Sequence, residues 1–334
     1  MAFAAQPLRP CISSKLLRSS LSRSRSSLRR GYLKHHQRGY ASLSYEIYDS
    51  TELRKSVDPT KKTAVVLHGI LGNHKNLRQI SYKLGDSFPD YQILLATHRG
   101  HGESSSGQPP HTVYSCVGDL LNLFKEIGLS SSPEIIIGHS FGGKVALGLV
   151  DSLLKDNSSG NPSHCFVLDS LPGVVDFSKN NDKDSVASVI SSLKKIKLPI
   201  QSKEKLIEEM TSQGFSLPLA QWMTLNVKRD RQLGNQFVWL FDLKAIESML
   251  NDYCKVQYWD FLKSKTLMES ESKVTFVQAE RNPAWTLDVV TTLDQIQAET
   301  QGIVQRKLLK DSGHWVHVDQ PLPLFNILSS AFED

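Results

Sequence analysis

A serine lies at the centre of a five-residue pattern whose chemistry depends on where it falls in the chain. Gly138-His139-Ser140-Phe141-Gly142 directly follows the apolar run 135–137 and directly precedes a stretch with helical periodicity. A serine on a sharp turn from strand to helix needs neighbours without side chains, and Gly138 and Gly142 meet that need. Such a turn presents the hydroxyl at the edge of a sheet, which makes Ser140 the candidate nucleophile.

A second turn, His68-Gly69-Ile70-Leu71-Gly72, ends an earlier apolar run and predicts an anion-binding site. In this arrangement the backbone N–H groups of Ile70 and Phe141 donate to the oxygen of an attacked carbonyl as it becomes negative. The helix that begins after Ser140 favours the same charge through its dipole. We therefore predict Ile70 and Phe141 as the oxyanion hole, and a structural role for His68 in orienting the loop.

The candidate general base is His314, in the run Ser312-Gly313-His314 soon after the last predicted strand. A histidine on a loop there can reach a serine on the turn, and it follows Ser140 in the required chain order. Among the eleven histidines, His317 is the competitor, because it lies three residues further on. We predict His314.

The carboxylate that should orient this histidine is the least determined residue of the set. Asp169 closes the predicted strand 164–168 and is the first candidate. Glu280, in the loop after the strand 273–278, is the second, and Asp288 is the third. An aspartate in the position of Asp169 can also simply cap its loop, so that alternative stays open.

These residues require a sheet of parallel strands to bring them together. From about residue 44 the chain alternates between apolar β-branched runs and amphipathic stretches, which predicts a mostly parallel, twisted sheet flanked by helices on both faces. The predicted strands cover residues 43–48, 63–67, 91–96, 134–137, 164–168, 273–278 and 304–309. The predicted helices of this part cover residues 76–84, 114–127, 141–154, 289–299 and 323–332.

Residues 174–265 differ from the rest of the body, because strand patterns disappear and helical patterns take their place. We predict helices over 185–196, 202–213, 217–226 and 243–253, which form a helical cap over a core made of residues 41–173 and 266–334. Trp222, Phe237 and Trp239 of the cap are candidates for substrate binding. Packing between cap and sheet is the competing interpretation, since large apolar side chains are usually buried.

The net charge of +5 is concentrated at one end. Residues 1–40 carry nine Lys and Arg and no Asp or Glu, which is typical of a cleaved transit peptide. We predict import into the mitochondrion, with the chloroplast as alternative, and a retained basic tail as the competing interpretation. The rest of the chain carries 30 Lys and Arg and all 34 Asp and Glu, so its net charge is negative. A nucleic-acid partner is therefore not expected.

The rest of the composition narrows the class further. The four cysteines show no metal-ligand spacing and no paired pattern, so we predict neither a metal site nor a disulfide framework. No apolar run is long enough for a transmembrane segment. The chain has no internal repeat, and its composition is that of an ordinary globular enzyme.

The chain resembles the α/β-hydrolases, and most closely the abhydrolase domain-containing 11-like group and its bacterial YbfF-type esterase relatives. The resemblance rests on VVLHGILGNHKNLRQI, HRGHGES, IIIGHSFGGKVAL, VLDSLPG, NQFVWLFDLKAI and GHWVHVDQP, which together span most of residues 63–332. It implies the α/β-hydrolase fold, hydrolysis of small acyl or lipid-like esters, and no cofactor. The bacterial relatives imply Asp169 as the acid, whereas Asn282 stands where many relatives carry aspartate. Thr97 stands where relatives usually carry another aspartate. This difference concerns the packing of the loop that contains Thr97 and not the nucleophile.

The predicted function is hydrolysis of a small-molecule carboxylic ester through an acyl-enzyme on Ser140. An acyltransferase uses the same residues and differs in how it excludes water, so it remains an alternative. A low-turnover protein that binds a ligand or stabilises a partner is the alternative of a different class. The sequence does not determine the oligomeric state.

Overall fold

The computed structural model describes residues 39–50, 52–156, 160–177 and 184–333. Residues 1–38, which hold nearly all of the predicted targeting segment 1–40, lie outside the described residues, so targeting stays a prediction. Among the helices of the described ranges, none combines the length and apolarity that crossing a bilayer requires.

The core of the protein is an eight-stranded sheet in which every neighbouring pair is parallel except those made by β1. The strand order is β10-β9-β6-β5-β3-β4-β1-β2. The strands are β1 (Tyr45–Asp49), β2 (Glu52–Arg54), β3 (Lys62–Leu67), β4 (Tyr91–Ala96), β5 (Ile135–His139), β6 (His164–Leu168), β7 (Val227–Asp230), β8 (Gln236–Trp239), β9 (Lys273–Ala279) and β10 (Val304–Leu309). This order confirms the predicted mostly parallel sheet. The sheet could be predicted because strands that are buried on both faces have continuous apolar sequences.

Helices cover both faces of this sheet, and each face has its own apolar cluster. The helices are α1 (Arg78–Ser87), α2 (Val113–Glu126), α3 (Phe141–Asp156), α4 (Val186–Leu193), α5 (Lys203–Ser212), α6 (Leu217–Met223), α7 (Leu243–Lys255), α8 (Trp259–Leu262), α9 (Lys265–Ser270), α10 (Leu287–Glu299), α11 (Val316–Asp319) and α12 (Pro321–Ser329). Serines at positions 185, 202 and 216 begin α4, α5 and α6, because each side chain accepts a hydrogen bond from a backbone N–H of the first turn.

The prediction that residues 174–265 contain no strands is wrong. β7 and β8 form an antiparallel hairpin within this segment. The two residues of its turn with positive φ, Gly234 and Asn235, are the turn signal that the helical interpretation overlooked. Phe237 of β8 is buried and exchanges backbone hydrogen bonds with Ile200, so the hairpin belongs to the apolar core of the cap.

The loop after β4 is held by a buried ion pair. The guanidinium of Arg99 donates to both carboxylate oxygens of Asp119 on α2, at 2.6 and 2.7 Å. Asp119 also accepts from the backbone N–H of Ala41 at 2.7 Å, which holds the segment before β1 against α2. Thr97, where the resemblance implies aspartate, is fully buried and hydrogen-bonded to His74, so the loop packs without a carboxylate at that position.

Three buried histidines connect this loop to the loop after β3. His68 Nε2 accepts from the backbone N–H of His98 at 3.0 Å, and His101 Nε2 accepts from that of Leu71 at 3.0 Å. A ring nitrogen that accepts a backbone N–H must be unprotonated, so both rings are neutral. Burial lowers the pKa of His68 well below its usual range, that of His98 to about 3 and that of His101 to about 4.

The free energy of unfolding is expected to fall as the pH is lowered from about 7 towards 4. Histidines of the unfolded chain take up protons near pH 6.5, whereas His101 stays neutral in the fold to about pH 4. The unfolded state therefore binds more protons in this window, and one such histidine contributes a slope of about 1.4 kcal/mol per pH unit below pH ~6.

Urea unfolding at several pH values measures this slope. His101→Gln keeps an acceptor for the Leu71 N–H but does not titrate, so it is expected to reduce the slope by about the contribution of one histidine. An equal slope in the variant and the unsubstituted protein would contradict the assignment of His101 as a neutral buried group.

Candidate active site

Ser140 occupies the sharp turn between β5 and α3. Its φ of 53° lies in the left-handed region, which is costly for a residue with a side chain. A Cβ added to Gly138 would lie 2.1 Å from the carbonyl oxygen of Gly142, and one added to Gly142 would lie 2.6 Å from that of Leu67. Both positions therefore require glycine, for the steric reason that the sequence pattern predicts.

A continuous hydrogen-bond chain joins this serine to a buried carboxylate. Ser140 Oγ lies 3.0 Å from His314 Nε2, and His314 Nδ1 lies 2.6 Å from Asp169 Oδ2. With the carboxylate fixing the proton on Nδ1, Nε2 is left free to accept the proton of the serine hydroxyl. The structure thus brings together Ser140, His314 and the first of the three candidate acids.

Asp169 is almost fully buried at the end of β6 and receives three hydrogen bonds besides the one from His314. The donors are the backbone N–H of Ala279 at 3.1 Å, Asn282 Nδ2 at 2.7 Å and Trp285 Nε1 at 2.6 Å. Together these donors satisfy both carboxylate oxygens and hold the buried side chain in one orientation. Asn282 thus stands beside the carboxylate as a donor. Sequence reasoning missed Trp285, because nothing in its local pattern distinguishes it from a core tryptophan.

The other candidates for acid and base lie elsewhere. Glu280 is exposed and accepts from the backbone N–H of Asp311 at 2.8 Å, and Asp288 is exposed in the first turn of α10. His317 is buried, and burial lowers its pKa to about 4. Its ring packs edge-on against that of His139, with the centroids 5.1 Å apart. His317 therefore packs against His139 and helps to hold the site in place.

His139, which sequence reasoning left without a role, holds the histidine loop in place. Its Nε2 donates to the backbone carbonyl of His314 at 2.8 Å. Burial lowers the pKa of His139 well below its usual range, so the ring is neutral. On its other side, a Cβ added to Gly69 would lie 3.2 Å from its Nδ1. One imidazole therefore lies between the loop of His314 and the loop of Ile70.

Ile70 and Phe141, the predicted oxyanion donors, lie beside Ser140 on the wall of one cavity. Within the described ranges, neither backbone N–H donates a hydrogen bond to another protein group. For Phe141 the reason is that it is the first residue of α3, where N–H groups have no partner within the helix. Two free donors next to the hydroxyl suit an oxygen that becomes negative during reaction.

Two cavities meet at Ser140. The larger, of about 440 Å³, extends between β6, α7 and the start of α10. The narrower lies under α6, where Trp222 packs edge-on against Trp315 with ring centroids 4.9 Å apart. Four residues line both cavities, namely Ile70, Ser140, Val186 and His314.

Of the three aromatic residues predicted to bind substrate, the structure brings only Trp222 to the site. Phe237 packs within the cap hairpin, where the guanidinium carbon of Arg229 lies 5.3 Å from the centroid of the Phe237 ring. Trp239 stacks on Phe241, with ring centroids 5.1 Å apart. Neither Phe237 nor Trp239 lines a cavity at Ser140 in the described part of the chain, because β8 faces the core of the cap.

Comparisons with known proteins identify the family. Residues 64–326 match the model of the alpha/beta hydrolase family. The chain is 24% identical over 295 residues to the sn-1-specific diacylglycerol lipase ABHD11 of Mus musculus, a match that covers 86% of this chain and 84% of the relative. It is also 32% identical over 133 residues to a probable alcohol acetyltransferase of Saccharomyces cerevisiae, covering 38% and 34% of the two chains.

Solved structures show the same fold. A marine microorganism esterase superposes with a TM-score of 0.68 at 19% identity, covering 87% of this chain and 99% of that one. An esterase from Exiguobacterium antarcticum superposes with a TM-score of 0.59 at 15% identity, covering 88% and 96%. Sequence match, sheet topology and the turn at Ser140 agree, and the protein belongs to the alpha/beta hydrolase family.

Proposed function

We propose that this protein hydrolyses carboxylic esters through an acyl-enzyme on Ser140, with His314 as general base and Asp169 as the orienting acid. The observation that carries the proposal is the chain Asp169–His314–Ser140, with contacts of 2.6 and 3.0 Å. A serine hydroxyl is a weak nucleophile until a neighbouring base takes its proton, and this geometry provides the base.

The reaction follows from the positions of these groups. Ser140 Oγ attacks the ester carbonyl carbon while His314 Nε2 takes the hydroxyl proton, and the N–H groups of Ile70 and Phe141 stabilise the resulting oxyanion. The bond to the leaving oxygen breaks as His314 returns the proton to it, which releases an alcohol. Water, deprotonated by the same imidazole, then attacks the acyl-enzyme, releases the carboxylic acid and restores Ser140.

Two features support an ester with apolar parts as substrate. The walls of the larger cavity include Leu171, Val175, Leu250 and Val289, and such surfaces bind acyl chains by burying apolar area. The relatives named above include a lipase and esterases. We therefore assign the larger cavity to the acyl group.

Acyl transfer to an alcohol uses the same residues, and the partial match to a probable alcohol acetyltransferase makes it the second candidate. The two reactions differ only in the acceptor of the acyl group. Adding a primary alcohol to an ester assay separates them, because a transferase forms new ester in proportion to the alcohol while a hydrolase forms free acid.

Substitution of Ser140 by alanine is expected to lower kcat for p-nitrophenyl ester hydrolysis by about 10⁴- to 10⁶-fold, because no other group forms the acyl-enzyme. A fluorophosphonate probe should label the unsubstituted protein and leave Ser140→Ala unlabelled. Ser152→Ala is the matched control on the same helix, since its hydroxyl only donates to the Gly148 carbonyl. Equal labelling of Ser140→Ala, or none of the folded unsubstituted protein, would overturn the proposal.

Substitution of Asp169 by asparagine is expected to lower kcat by about 10⁴-fold, because an amide next to His314 Nδ1 favours the wrong tautomer of the ring. Glu280→Gln and Asp288→Asn should retain kcat within about threefold, since exposed polar side chains away from the site contribute little. Steady-state kinetics on the three variants checks this. A loss in Glu280→Gln or Asp288→Asn as large as that in Asp169→Asn would exclude Asp169 as the acid.

A further inference from the structure

Lys144 is a fully buried lysine on α3, one helical turn after Ser140. Its Nζ donates to three backbone carbonyls, those of Gly173 at 2.7 Å, Tyr253 at 2.7 Å and Val256 at 2.6 Å. An ammonium has three N–H groups, so all of its hydrogen-bonding capacity is used. This lysine is not part of the chemistry proposed for Ser140, and its burial needs another reason.

The three carbonyls belong to two separate parts of the chain. Gly173 lies where the chain leaves the sheet for the cap, whereas Tyr253 and Val256 lie at the carboxyl end of α7, where the chain returns. Direct bonds also join these two segments, since Val175 N–H donates to the Cys254 carbonyl at 2.9 Å and Tyr258 N–H donates to the Pro172 carbonyl at 2.8 Å. Lys144 therefore fastens both segments to α3, the helix that directly follows Ser140.

The same two segments form one wall of the larger cavity. Leu171, Val174 and Phe177 come from the outgoing segment, and Leu250 and Tyr253 come from α7. Lys144 thus links this wall to the helix that follows the nucleophile. Small displacements matter here, because moving a bound reactant by about 1 Å can lower a rate by about 10²-fold.

We propose that Lys144 is a positioning residue that sets the selectivity for the acyl group, by fastening the cavity wall made of residues 171–177 and 250–253 to the helix of Ser140. This inference rests on the proposed esterase function. Lys144 does not touch the reacting atoms. Without its ammonium the two segments lose their common anchor, and long acyl chains lose the surface that aligns them.

The three hydrogen bonds of Lys144 require its side chain to be protonated. Burial lowers the pKa of Lys144 to about 8, while Cys254 and Asp252 act to raise it. The titratable groups on the two segments are Asp176, Asp252, Tyr253, Cys254 and Lys255. A neutral amine has two N–H groups, so loss of the proton above about pH 8 leaves one of the three carbonyls without its donor. The selectivity should therefore weaken as the pH rises through this range.

The test compares Lys144→Met with Lys155→Met, an exposed lysine on the same helix. Methionine keeps an unbranched side chain but donates no hydrogen bond. We expect the ratio of kcat/KM for p-nitrophenyl decanoate to that for the acetate to fall about tenfold in Lys144→Met, mainly through KM for the decanoate. Labelling of Ser140 by a small fluorophosphonate and kcat for the acetate should change less than threefold in both variants.

An unchanged ratio in folded Lys144→Met would overturn the proposal, as would an equal change in Lys155→Met. If Lys144→Met does not fold, the test is the ratio of kcat/KM for the decanoate to that for the acetate in the unsubstituted protein, measured between about pH 7 and 9. This ratio is expected to fall as the pH rises. Any pH dependence of the chemical step acts on both esters alike and cancels in the ratio, so a constant value would overturn the role of Lys144. Failure of the esterase function itself would show differently, as an absence of hydrolysis and labelling in the unsubstituted protein.

Discussion

The structure depends on one steric constraint, the left-handed backbone of Ser140 between β5 and α3. A residue with a side chain adopts this conformation at a cost, so the surroundings must hold it there. Its N–H donates to the Leu168 carbonyl at 2.9 Å and its carbonyl accepts from the Gly143 N–H at 2.8 Å. The turn aims the hydroxyl away from the sheet and starts α3 with a free N–H at Phe141.

Around this turn, buried polar side chains are paired with the main chain. His139 donates to the His314 carbonyl, the histidines at 68 and 101 accept from loop N–H groups, and Lys144 donates to three carbonyls. Burying a polar group without a partner costs free energy, so each such pair also specifies where a loop must lie. The site is therefore positioned by hydrogen bonds between side chains and loops, as much as by the sheet.

Several features of this support were out of reach of sequence reasoning. Trp285 and Asn282 follow β9, more than 100 positions from Asp169, yet both donate to its carboxylate. The local pattern around Trp285 is that of an ordinary core aromatic. In the cap, the helical periodicity of the neighbouring segments concealed the hairpin of β7 and β8, whose strands are four residues each.

The sequence by itself determined the features that local sterics and periodicity control. The alternation of apolar runs and amphipathic stretches specified the parallel sheet, and the two glycines around Ser140 specified the turn. Only the tertiary structure decided which carboxylate meets His314, which aromatic of the cap reaches the site, and what the buried lysine holds. Those outcomes depend on contacts between residues far apart in the chain, and such contacts form only when the strands are placed side by side.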